Sequence, residues 1–145
     1  MGNTELVNQY LDLSKETLEK IKFDDSNGDN NLRLLFCISF EKSLDAFANE
    51  IFIQQNLDIN NFMEMNAFSK LNKISNHKNS LSVISKQLEP NGLIETFEDI
   101  YKKEIDPPSI DLITSSNKNT LKKLNLLLNK YGEWISSYRK FHHEC

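Results

Sequence analysis

Residues 121–142 read LKKLNLLLNKYGEWISSYRKFH, and the spacing of their apolar members decides the fold class. Leu121, Leu124, Leu128, Tyr131, Ile135, Tyr138 and His142 recur at alternating intervals of three and four, which places them on one side of a helix. Leu127, Trp134 and Phe141 widen that side. A stripe this broad suits a helix packed among several others, whereas a two-stranded coiled coil needs only the narrow seam. The segment therefore predicts a helical bundle.

Upstream stretches repeat the pattern. Thr4 is placed to cap a first helix bearing Leu6, Val7, Tyr10, Leu11, Leu18 and Ile21 on one face. Residues 24–31 then break the periodicity with Asp, Ser, Asn and Gly, the residues of turns and helix starts. A second helix is expected from near Asn31 to about Ile53. Its first half, Leu32 to Phe40, is apolar almost all round and predicts burial on several sides. Phe62, Met65, Phe68, Leu71 and Ile74 predict a third helix, a short fourth begins near Leu81 and ends at Pro90, and a fifth carries Leu93, Phe97, Ile100 and Tyr101. The expectation is an all-α, single compact bundle of about five or six helices over residues 1–145, centred on the Leu32–Ile53 and Leu121–Phe141 helices. The last helix runs on without a terminating Gly, Asn or Pro after Phe141, as either a frayed natural end or a cut from a longer protein does.

Composition narrows the function classes. With 39% hydrophobic and 26% charged residues the chain falls in the ordinary globular range. A net charge of −4 and only two arginines, Arg33 and Arg139, weigh against a surface that neutralises nucleic-acid phosphates. Cys37 lies in an apolar run and Cys145 is the last residue, so no disulfide framework is expected. No segment reaches the ~18 apolar residues of a membrane span. A cytoplasmic, soluble protein without a cofactor is the expectation.

Several groupings of chemically capable residues reduce to ordinary roles. A calcium-loop alignment that puts Gly28 at the glycine position puts Phe23 and Leu34 where carboxylates are needed, so the register fails. His142, His143, Glu144 and Cys145 are consecutive, and helical neighbours point about 100° apart, so they cannot share one ion. Lys70, Lys73, His77 and Lys78 form a short basic stripe, and Glu95, Glu98 and Asp99 crowd one turn as a hydrated face.

Two functions follow as expectations. The first is a non-catalytic, acidic helical module that binds a protein, as an inhibitor of a basic partner in the manner of immunity proteins, antitoxins or phage counter-defence proteins. Acidic residues Asp24, Asp25, Asp29, Glu95, Glu98 and Asp99 steer that partner. The second rests on Arg139 near His142 and His143, a pairing that resembles the arginine and histidine carried near a late helix by RNA-cleaving domains of the HEPN type. That resemblance implies a metal-independent ribonuclease using Arg139 with His142 or His143. The family separates the two by a longer interval than the two residues between Arg139 and His142, and Lys140 stands where it usually has another polar residue. In the non-catalytic reading Arg139 faces solvent and His142 packs against the bundle.

Overall fold

The computed structural model describes residues 2–22, 27–77, 86–87, 89, 92–105 and 117–144, with the side chains of 104, 105, 117–119, 143 and 144 excepted. These residues form an all-α bundle of five α-helices and one 3-10 turn: α1 (Asn3–Lys20), α2 (Asn27–Gln54), the turn Phe62–Glu64, α3 (Ala67–Ser75), α4 (Leu93–Ile105) and α5 (Asn117–Glu144). No helix among them is long and apolar enough to cross a membrane. The helix expected near Leu81 lies outside the described residues.

Pairwise contacts give the directions. Val7 of α1 meets Ser43 of α2 and Thr4 meets Glu50, so α1 runs antiparallel to α2. Phe40 meets Tyr131, Phe47 meets Trp134, and Gln55 meets His142, so α5 runs parallel to α2. Phe36, Phe40, Phe47, Phe97, Tyr131, Trp134 and Tyr138 are all sealed from solvent. Their rings join α2, α4 and α5, with Phe40 4.5 Å from Phe97 and Phe47 edge-on to Trp134 at 5.0 Å.

Several polar groups inside this core are satisfied by short links, whereas Trp134 Nε1 is buried without a hydrogen bond among the described residues. Ser14, Thr17 and Ser39 each donate to the carbonyl four residues back in their own helix. Ser43 donates to the Val7 carbonyl at 2.8 Å, and its oxygen lies 2.8 Å from the Tyr131 hydroxyl. A serine has one proton to give, so Tyr131 donates to Ser43 and three helices are joined by one chain of hydrogen bonds.

Burial pushes the Tyr131 hydroxyl far above the usual phenolic range. With the folded value raised, the stabilisation is present below the unfolded phenol's pKa of about 10 and is lost as pH rises above it. Tyr131→Phe should cost about 1 kcal/mol at neutral pH, the net worth of one hydrogen bond. The same variant should lose less stability than wild type when denaturant midpoints are compared at neutral and alkaline pH. Equal alkaline losses in the two proteins would contradict the assignment.

Four local expectations are corrected. The second helix begins at Asn27, earlier than the expected Asn31, because Asp29 acts inside its first turn: Oδ1 accepts the Lys22 backbone N–H at 2.7 Å, and Oδ2 lies 3.3 Å from Arg33 Nε. Thr4 does not cap α1, which starts at Asn3 after Gly2, and its hydroxyl reaches Glu50 instead. The expected third helix is split, because the Asn66 side chain caps α3 by accepting the Ser69 N–H at 2.8 Å, leaving Phe62–Glu64 as a separate turn. Finally, the Leu32–Phe40 run is not wrapped on all sides. Phe36, Cys37 and Phe40 are buried, while Leu34, Leu35 and Ile38 are 37%, 40% and 37% exposed.

Candidate functional site

Two regions gather the side chains able to do chemistry or recognition. The first lies where the start of α1 meets the ends of α2 and α5. Arg139 Nη2 donates to Glu50 Oε1 at 3.1 Å and to the Thr4 carbonyl at 3.4 Å, and Nη1 donates to Asn8 Oδ1 at 3.0 Å. The Glu50 side chain is only 2% exposed and that of Arg139 24%. Arg139 is therefore turned inward as the counter-ion of a buried carboxylate, which corrects the expectation that it faces solvent. Glu50 on α2 is itself buried.

One turn further on, the Tyr138 hydroxyl donates to Gln54 Oε1 at 2.9 Å and accepts from Gln55 Nε2 at 3.2 Å. Gln55 Nε2 also lies 3.3 Å from His142 Nδ1, and the His142 ring stacks on Tyr138. Burial raises the Tyr138 hydroxyl above its usual range, with the Gln55 hydrogen bond working against it. His142 is half-buried and packs on the bundle through Tyr138. Arg139 and His142 thus point to different partners, and the side chain of His143 lies outside the described residues.

The second region is on the opposite side of α2. Leu34, Leu35 and Ile38 share one outward face, and beside Ile38 opens a cleft of about 310 Å³. Glu41, Lys42 and Asp45 line it from α2, Asn66 from the start of α3, and Tyr101 from α4. Scanned against protein-family models, curated proteins and solved structures, the chain matches none. The cleft must therefore be read from its own chemistry. Asp45 Oδ1 holds Lys70 Nζ at 2.8 Å, and Lys70 is only 3% exposed. Lys70, of the basic stripe seen in the sequence, is therefore a frame residue of this wall whose charge balances Asp45; Lys78 lies outside the described residues. Burial first, then the neighbouring Glu41 carboxylate, push the Tyr101 hydroxyl above its usual range.

The acidic residues singled out from sequence fall into separate places. Glu95 and Asp99 are exposed on α4, and Glu98 is partly exposed and 4.0 Å from Lys102. Asp29 is 3% exposed and engaged with Lys22 and Arg33, so its charge is spent inside the fold. Asp24 and Asp25 lie outside the described residues. Among those described, no three His, Cys, Asp or Glu side chains converge as metal ligands. Sequence reasoning missed the Leu34, Leu35 and Ile38 face. Their spacing, with Asp45 one turn beyond Glu41, was the available signal.

Proposed function

We propose that the protein is a binding module that docks a basic protein partner through the outward face of α2 and the acidic side of α4. The observation that carries this reading is the exposure of Leu34, Leu35 and Ile38 on one face of the central helix, continuous with the cleft at Glu41 and Tyr101. Apolar side chains grouped beside a cleft gain most when a partner removes them from water, at roughly 25 cal/mol per Å² of apolar area. Ile53, Met63, Leu126 and Phe141 are also exposed, but they are spread over α2's far end, the 3-10 turn and α5. The net charge of −4 and the exposed Glu95 and Asp99 favour a partner of opposite sign, and such charges act mainly on the rate of encounter. Inhibition of that basic partner is the role this chemistry suits.

The test is capture of partners from the native host by wild type and by Leu35→Glu, with salt titration of whatever is recovered. Leu35 lies outside the core, so the variant should keep its helical circular dichroism. It should weaken the specific complex by tenfold or more, as loss of a docking-face anchor of about 2 kcal/mol does. Equal capture by both proteins, or binding that strengthens with salt, contradicts the proposal.

A further inference from the structure

We infer that the cleft bounded by Ile38, Glu41, Asn66 and Tyr101 seats an arginine side chain of the basic partner, with Glu41 as its carboxylate anchor; this rests on the docking reading above. The volume of about 310 Å³ is at the lower end of small-ligand pockets, roughly 300–1,000 Å³, and suits one long side chain better than a cofactor. Glu41 and Asp45 are one helical turn apart on α2 and both line the cleft. Their situations differ. Asp45 already has the buried Lys70 ammonium at 2.8 Å. Glu41, half-buried, shares the cleft with the neutral Tyr101 hydroxyl, and a carboxylate offers about four acceptor positions.

A half-buried carboxylate beside a neutral donor gains most from a cation that brings further N–H groups. Guanidinium fits the walls better than ammonium, because its flat fork can donate twice to Glu41 and lie against the Tyr101 ring. The side-chain oxygen of Asn66, a residue of the cleft wall, accepts the Ser69 N–H and keeps a second lone pair. Lys42 also lines the cleft and is exposed on a flexible stem, so its charge opposes a cationic guest. Lys42 therefore supplies a sign test.

The experiment is a two-dimensional amide NMR titration of the full chain with N-acetylarginine methylamide, beside the lysine and leucine analogues. Saturable shifts are expected at residues 38–45, 66–67 and 101 with the arginine compound, weaker ones with lysine, and none with leucine. Glu41→Gln keeps an acceptor for Tyr101 and should bind about tenfold more weakly, as loss of one charge-assisted hydrogen bond does. Lys42→Ala should bind more tightly. Absence of saturable shifts at those amides, or equal affinity in Glu41→Gln, overturns the assignment. The docking reading fails separately: if arginine shifts appear but Leu35→Glu captures its partner as well as wild type, the cleft stands and the docking face does not. If Leu35→Glu loses its partner while Glu41→Gln binds the arginine compound unchanged, the docking face stands and the cleft assignment falls.

Discussion

Glu50→Ala is expected to be among the most destabilising single substitutions, at about 2–4 kcal/mol, somewhat under the usual loss for a broken buried pair because Arg139 is partly exposed. Removing the carboxylate leaves the Arg139 guanidinium without its counter-ion and frees the Thr4 hydroxyl, so α1 and α5 each lose a tie to α2 here, while Arg139 keeps its bonds to Thr4 and Asn8 of α1. The pair is not fully satisfied even in the native fold: Glu50 Oε2 and Arg139 Nε are buried without a hydrogen bond among the described residues. Attraction between the two charges thus offsets a large desolvation cost, and an apolar replacement of both should recover much of the loss. Denaturant unfolding of Glu50→Ala, Arg139→Met and the Glu50→Leu/Arg139→Met double variant measures this. The double variant should be more stable than Glu50→Ala. If Glu50→Ala matches wild type, the buried pair does not hold α1 in place.

Phe47→Ala should cost about 3–5 kcal/mol, the range for deleting a large core aromatic and leaving a cavity. Phe47 has no exposed surface and contacts three rings of α5, those of Tyr131, Trp134 and Tyr138, at 6.0, 5.0 and 5.6 Å. Each ring meets its edge or face, so truncation removes contact from the α2–α5 interface over two turns. Set against a typical total stability of about 5–15 kcal/mol, the loss is large enough to unfold part of the population on mild heating. Thermal unfolding followed at 222 nm checks it, with the exposed Met63→Ala as a control expected to change little. Equal midpoints for the two variants would mean that the aromatic layer is not the centre of the core.

The apolar rhythm made most of this fold legible. Leu124, Leu128, Tyr131, Ile135 and Tyr138 are buried where alternating three- and four-residue spacing placed them, because a long helix against a flat neighbour has few other ways to cover that stripe. Other members of the stripe behave otherwise: Leu121 and Phe141 are exposed. Charged residues were the least legible. Asp29, Glu50, Lys70 and Arg139 are each buried or turned inward by an ion pair, and three of the four find that partner far away in sequence. Local pattern carries no information on such distant partners. The run Leu32 to Phe40 misled in the opposite sense, since continuous apolarity suggests burial all round while α2 has neighbours on only part of its circumference. Of the candidate site, Glu95, Glu98 and Asp99 were legible as a hydrated helix face, and the apolar face beside the cleft was not.

Site-specific photo-crosslinking in the native host tests the docking face most directly. A crosslinking residue at position 35 on α2 is compared with one at exposed Lys130 on α5. An adduct to a basic protein is expected from position 35, weakened by salt and absent from position 130. Adducts of equal yield from both positions, or none from position 35 while position 130 captures a partner, would contradict it.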